Sequence, residues 1–518
     1  MSASQRSGIN EFIGNIKNLL NSFNNSYLRG GWPVSDRSRA AVAANNFFLH
    51  IQGAKTHVNT LRPTYTFGLG LITLFLLLIA IVSGVLLTLY YQPSTERAYN
   101  SVKDINYIIF AGRLIRNIHK WSGEGMLIAL ILHMARVFYT GSYAKGREFN
   151  WLIGIVLFIL TFGLNFTGYC LPWDQLSYWA LVIASNVAQA PKEITDILGI
   201  TKYFDIGGFQ KEMFLGGFTP GDVSIIRMYF FHIILLPVMM AIFLGVHFWR
   251  IRKDGGLTVP ENFKPTPSES VTLSQVRKEG GKFSGAKTYG LMTLVRDKTP
   301  AVDKEVDHTV MSWPHLLRAE VSVLMLCLAV IVVYSFFIDA PLKEPGNPLI
   351  PENPAKAPWY FLGLQELVSY SAFMGGMGLP MVALLGLILI PFLDREQRYV
   401  GIWFANKQGR LVALTSLIVG AAVVIGLLAF VVNFGWFRDW WPDFPQMIIV
   451  IINPGTIWVG FVIAWCMLVI HKTGSTRMGA IAMFTMFLIS FLIFTYVGTE
   501  LRGPDWAFYW SKSQWPVH

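Results

Sequence analysis

The chain of 518 residues is 53% hydrophobic and only 14% charged, with a mean hydropathy of +0.46. A soluble domain of this length does not carry so much apolar surface, so the composition excludes one and marks a polytopic membrane protein. The net charge of +11 comes from lysines and arginines between the apolar runs, where membrane lipids are the expected partner and nucleic acid is not.

In chain order, residues 1–65 form a polar, Asn-rich n-side segment without a small-residue cleavage site, so no cleaved signal peptide is expected and the first span is its own targeting signal. Apolar runs of about 18 or more residues then predict roughly nine membrane helices: 66–90, 119–140, 151–172, 228–249, 316–338, 378–393, 411–433, 445–470 and 479–498. The expected fold is an all-α polytopic membrane helix bundle. Its parts are a four-helix domain over 66–253, a polar n-side linker over 254–315, a C-terminal helical domain over 316–433 with a loop at 339–377, and further spans with a p-side tail over 434–518. The linker, with Pro260, Pro265, Pro267 and many lysines, reads either as a solvated lipid-facing segment or as a docking surface. No repeat relates the two halves. Placing the N-terminus on the cytoplasmic (n) side puts about two thirds of the 42 Lys and Arg there, as the positive-inside rule asks.

Four histidines lie on two of these spans, His119 and His133 on the second, His232 and His247 on the fourth, 14 and 15 residues apart. Fourteen helical residues make nearly four turns and rise about 21 Å, so both histidines of a span share a face, one toward each membrane edge. The topology makes the two spans parallel, pairing His119 with His232 near the p side and His133 with His247 near the n side. Neutral imidazole ligates haem iron, and an iron held from both sides keeps no open position for oxygen; the pattern points to two stacked non-covalent b-type haems that pass electrons across a membrane. Gly70 and Gly84 on the first span and Gly154 and Gly168 on the third repeat the spacing of 14, and a residue without Cβ lets a helix approach a flat macrocycle. One intramembrane histidine is more often a packed residue or a proton site, and small residues also serve helix packing, but the shared register favours the haem reading. Cys170, Cys327 and Cys466 stand apart in or beside apolar runs with no Cys-x-x-Cys-His, so disulfides, covalent c-type haem and an iron–sulfur cluster are not expected here.

The stretches "LIRNIHKWSGEGMLIALILHMARVFYTGSY", "TGYCLPWDQLSYW" and "HFWRIRKDGG", within about 57–253, identify a resemblance to cytochrome b of the quinol-oxidising cytochrome bc complexes. It continues more weakly through "NPAKAPWYFLGLQEL" and "IPFLDREQ". The longer histidine spacing of the fourth span is similar to the plastoquinol-oxidising branch, in which the two halves are separate polypeptides; here they are fused, as in a bacterial form. The resemblance implies a subunit of the bacterial inner (cytoplasmic) membrane, working with a Rieske iron–sulfur protein and a c-type cytochrome subunit, within a larger complex and as a homodimer. It implies that His119 and His232 hold the p-side haem and His133 and His247 the n-side haem. Quinol would be oxidised at a p-side pocket between "TGYCLPWDQ" and "APWYF". One electron would go to the Rieske protein, while the other would cross through both haems to quinone on the n side, with protons released on p and taken up on n.

Arg116 and Arg136 sit where haem propionates would need counter-charges, although each also fits a helix-end anchor. Trp173, Trp179, Trp359 and Tyr360 are expected to shape the quinol pocket, against the alternative of a general aromatic belt. The family motif Pro-Glu-Trp-Tyr is replaced by Ala357, Pro358, Trp359 and Tyr360, so its proton-accepting glutamate is missing. Oxidised quinol hydroxyls are strongly acidic and still need two acceptors. Glu366, or a water path to Asp174 or Glu352, is expected to supply one; the alternative for Glu366 is a surface carboxylate. The cysteine that attaches an extra haem in the plastoquinol branch falls at Phe67 or Gly68, so that haem is not expected. Arg250, His315, Arg318 and Glu320 are candidates for the n-side quinone site, or plain interfacial residues. The ninth span and its tail, with Trp506, Trp510 and Trp515, suggest a contact with a partner or a peripheral helix. Two other classes fit less well: a dihaem anchor of a quinone-linked dehydrogenase or reductase, which lacks the "APWYF" half, and a transporter, which gives no reason for the shared register.

Overall fold

The computed structural model describes residues 3–19, 26, 32–46, 49–260, 262–280, 308–441 and 443–516. Residues 281–307 of the expected linker lie outside the described residues. Two units form, one of Met1–Phe67 with Phe248–Ser322, the other of Gly68–His247 with Val323–His518.

The described residues are mostly helical, the main helices being, in order, α1 (Leu69–Thr88), α2 (Gly112–Tyr139), α3 (Glu148–Tyr169), α4 (Asp222–Lys253), α5 (Ser312–Phe337), α6 (Trp359–Val368), α7 (Met374–Leu393), α8 (Lys407–Trp440), α9 (Pro454–Thr473) and α10 (Thr476–Leu501). Eight of these are long and apolar enough to cross a membrane. The other two are α6, a short loop helix, and α2, whose first half carries Arg113, Arg116, Lys120 and Glu124. With 28 residues lying along α1, α2 is read as the ninth span. One expectation is corrected: 445–470 is not continuous. Gln446–Ile451 is a separate short helix, because Asn453 caps the Thr456 N–H and Pro454 occupies the first turn of α9, which together start a new helix.

Prolines shape two spans. Pro237 and Pro380 offer no N–H to the carbonyl four residues back, and each follows a π-turn, Phe231–Leu235 and Met374–Gly378, in which an N–H reaches back five residues.

The core of the second unit joins α1 to α4 through Leu76, Leu77, Met126, Leu160 and Met240, which lie about midway between the paired glycines and histidines of their helices. A second core joins the far end of α2 to α10, with Phe138 stacked on Phe484 at 4.0 Å and the Tyr139 and Thr485 hydroxyls 3.0 Å apart. The last expected span, α10, is thus packed against its own chain along one side. Half of the apolar window of α10 is buried, against 6% for α4. Each of its ends is tied by a buried ion pair. At one, Arg477 donates to Asp394, which also accepts from the Tyr143 hydroxyl at 2.6 Å. At the other, Arg502 grips both oxygens of Glu366 on α6 at 2.6 and 2.9 Å. The tail continues over the loop before α6, with Lys356 donating to the Thr499 carbonyl and Asn353 to Asp505.

In the first unit, β1 (Lys55–His57) and β2 (Thr309–Met311) pair antiparallel, with Lys55 opposite Met311. Arg62 meets both oxygens of Glu269 at 2.6 Å, and the Tyr65 hydroxyl meets that of Thr258. Val58, Leu273 and Val310 make a small core beneath. The N-terminal segment and the described part of the polar segment thus fold on each other.

Arg502→Met strands Glu366 in the interior, and is expected to cost about 3–5 kcal/mol in the thermal inactivation of the purified complex; adding Glu366→Leu should recover most of it. In the first unit, the hydrogen bond from Arg62 holds Glu269 down at about 2, from 4.5. The pair therefore stabilises the unit above pH 4.5 and its contribution is lost as pH falls toward 2. Hydrogen-exchange protection of 55–62 and 267–275 should drop over that window, and Arg62→Gln should remove the drop.

Candidate functional site

All four histidines lie in the second unit. The imidazoles of His119 on α2 and His232 on α4 face each other with ring centroids 5.9 Å apart. Two metal–nitrogen bonds of about 2 Å plus the two ring radii amount to roughly that separation. His119 Nδ1 lies 2.9 Å from the Ala80 carbonyl, and His232 Nδ1 lies 3.0 Å from the Leu164 carbonyl. A carbonyl only accepts, so each Nδ1 carries the proton and each Nε2 is left bare, with its lone pair available.

The two sides repeat one device. Ala80 and Leu164 each precede a glycine, Gly84 and Gly168, by four residues, and Ser83 and Thr167 place hydroxyls 3.3 Å from the same Nδ1 atoms. A Cβ on Gly84 would lie 2.9 Å from His119 Cε1, and one on Gly168 2.6 Å from His232 Cε1. Gly70 stands to His133 in the same way, at 3.1 Å. These three glycines make room for the imidazoles themselves, which refines the expectation that they face the macrocycle. Gly154 differs, with no atom within 4 Å of the added Cβ.

The spacing of 15 on α4 has a structural cause. The π-turn at Phe231–Leu235 absorbs one residue, so His232 and His247 keep nearly the relation that His119 and His133 have along a regular helix. Among the described residues, no group of three or more His, Cys, Asp or Glu could hold a metal ion. The site offers paired imidazoles, with room made by glycine, and those suit an iron whose other ligands come from a macrocycle.

Around this frame, every fourth residue of α2 ties the end of α5. Arg113 pairs with Asp339 at 2.6 Å and holds it below the usual carboxylate range, Asn117 exchanges bonds with Asp339 and Ala340, and Trp121 donates to the Ile338 carbonyl. Arg116 donates to the Ala340 and Pro341 carbonyls, which makes it an anchor for the following loop. Arg136 is buried near the other end of α2. Arg250 pairs with Asp254, and Glu320 accepts from Gln52, all in the first unit, as are His315 and Arg318.

The acidic residues expected at the quinol pocket are otherwise engaged. Glu366 is neither a surface carboxylate nor an open base: it is fully buried, both oxygens are held by Arg502, and Tyr370 adds a third bond. Asp174 caps the helix Gln175–Ala188 through the Ser177 N–H and hydroxyl, and its other oxygen takes the Lys343 N–H. Glu352 pairs with Lys343 at 2.7 Å. Pro358 caps the start of α6, where Trp359 and Tyr360 meet edge to face. Tyr360 also meets Phe162 of α3 at 5.6 Å, while Trp173 packs on Tyr178 in the neighbouring core with Trp179 beside it. One contact was missed from the sequence: the Trp359 indole donates to Glu124 of α2. Ser83 and Thr167 were missed too, although each stands directly before a registered glycine.

Substituting alanine at the three crowded glycines is expected to displace the facing imidazole in the order Gly168, Gly84, Gly70, following distances of 2.6, 2.9 and 3.1 Å. The measurement is haem per chain by pyridine haemochrome, with loss greatest for Gly168→Ala.

Comparison with known proteins gives concordant results. The family model described as Cytochrome b/b6/petB matches residues 55–255. Cytochrome b6 of Prochlorococcus marinus is 40% identical over 187 residues, which cover 36% of this chain and 80% of the relative. Cytochrome b6 of Gracilaria tenuistipitata var. liui is 39% identical over 199 residues, 38% of this chain and 85% of the relative. A chain of the solved Hyperthermophilic respiratory Complex III shares the fold, with a TM-score of 0.54 at 22% identity, covering 84% of this chain and 90% of that one. Identity of 40% across four fifths of a relative agrees with the facing imidazoles, and on both grounds the chain belongs to the cytochrome b/b6 family of haem-b-binding membrane proteins.

Proposed function

We propose that the chain is the membrane electron-transfer subunit of a quinol-oxidising bc-type complex. The observation that carries this reading is the facing His119–His232 pair, with each Nδ1 bonded to a backbone carbonyl and each Nε2 left as a ligand. His133 and His247 supply the second level, and the apolar residues midway along α1 to α4 insulate one level from the other. Two non-covalent b haems held there supply one-electron transfer between the p and n sides.

The chain's own residues do the rest. Trp359, Tyr360 and Phe162 wall the p-side quinol pocket, with Pro358 setting the start of α6. Quinone is reduced at the n-side level, with protons released on p and taken up on n. A Rieske iron–sulfur protein and a c-type cytochrome are the proposed electron-accepting partners, in a homodimeric complex of a bacterial inner membrane with the N-terminus cytoplasmic. The excess of Lys and Arg on the n side supports that orientation. An anchor of a quinone-linked dehydrogenase would keep the histidines but would not need α6 with its Trp359–Tyr360 pair.

A redox titration of the purified complex is expected to resolve two b haems of distinct potential per chain, none covalent, both reducible by added quinol. His119→Ala and His232→Ala should lose the same haem, and His133→Ala and His247→Ala the other. A single haem, or losses that pair differently, refutes the assignment.

A further inference from the structure

We propose that Glu124 is the carboxylate of this chain that accepts a proton when quinol is oxidised at the p-side pocket, a role that rests on the function proposed above. Five residues beyond His119 on α2, its Oε2 accepts from the Trp359 indole and its Oε1 from Lys120 Nζ at 2.5 Å. It thereby touches Trp359, one side of the proposed Trp359–Tyr360 wall. The hydroxyl of Tyr360, the next residue along α6 after Trp359, is buried and without a hydrogen-bond partner. Burial pushes this phenol well up, and the nearby Glu124 charge, then Cys170 and Tyr169, add to the effect. A buried hydroxyl that lacks a partner, one residue from the indole that holds a carboxylate, is a place for a ligand oxygen, since it can give one hydrogen bond and take another.

The alternatives are spent on structure. Glu366 is sealed by Arg502, a cation that cannot itself pass a proton on, and Asp174 and Glu352 are tied to the loop around Lys343. Glu124 keeps an opening that Glu366 lacks, with 13% of its side chain exposed against 0%, and it, not Glu352, which is 23% exposed and paired with Lys343, accepts from the Trp359 indole.

The chemistry balances. Quinol loses two electrons and two protons in becoming quinone, the electrons going one each to a ferric b haem and to the iron–sulfur centre of a partner. One hydroxyl proton passes to a base of that partner. The second O–H bond breaks as a new O–H bond forms on Glu124, directly or with the Tyr360 hydroxyl passing a proton in and another out. Glu124 returns to the carboxylate by releasing the proton to water on the p side.

The test uses the whole complex, comparing wild type with Glu124→Gln, whose amide oxygen still accepts from the indole. Haem content and the dithionite-reduced spectrum are expected to stay unchanged, while the rate of haem reduction by quinol falls about 100-fold or more and Glu124→Asp restores part of it. In the infrared difference spectrum of the quinol-reduced complex, a carboxylic-acid C=O band is expected in wild type and missing in Glu124→Gln. A Glu124→Gln rate within about twofold of wild type, or an unchanged band, overturns the proposal. Should Glu124→Gln lose haem, Glu124→Asp carries the test, and a band that does not move overturns it. A wild-type complex whose b haems stay oxidised under excess quinol refutes the proposed function itself, which separates the two failures.

Discussion

The hydrogen bond from a histidine Nδ1 to a backbone carbonyl on the facing helix is the interaction on which the rest of this structure depends. It forms at His119 with Ala80 and at His232 with Leu164. It requires an imidazole to lie against a helix backbone, and only a residue without a side chain permits that, hence Gly84 and Gly168. It sets the tautomer, so the nitrogen left with a free lone pair is defined by the fold itself. It also sets the register of α1 against α2 and of α3 against α4.

From that register the internal layout follows. The same register brings Gly70 against His133, while Met126, Leu76 and Met240 meet between the two histidine levels. An apolar layer between charged redox centres keeps each in its own surroundings, and burial is one of the factors that tune haem potentials. Where α4 carries one residue too many, the π-turn beside Pro237 takes it up.

The C-terminal half is organised by charge. Arg477–Asp394 and Arg502–Glu366 hold the two ends of α10, both with little exposure. Such pairs gain little net stability over well-packed apolar residues, but they are costly to break singly and so fix where a helix starts and stops. By clamping α6, Arg502 also holds the short helix that presents Trp359 and Tyr360. Glu366 therefore serves position, and the carboxylate that meets the Trp359 indole is Glu124, contributed from the other half of the chain.

The sequence by itself determined most of the helices and the four histidines that face one another in register. Runs of apolar residues long enough for a bilayer read out as helices wherever they occur, and a repeat of 14 on helices places side chains on one face regardless of neighbours. His119, His133, His232 and His247 with their glycines were legible for that reason. The break at Asn453–Pro454 was legible too, as a cap followed by proline, but lay within an apolar run that concealed it. The tertiary structure alone decided which charges meet. Arg502 and Glu366 are 136 residues apart, and Trp359 and Glu124 are 235 apart. Local periodicity has no information at those separations, because a carboxylate on a helix looks the same in sequence whether it faces a cation, an indole or water.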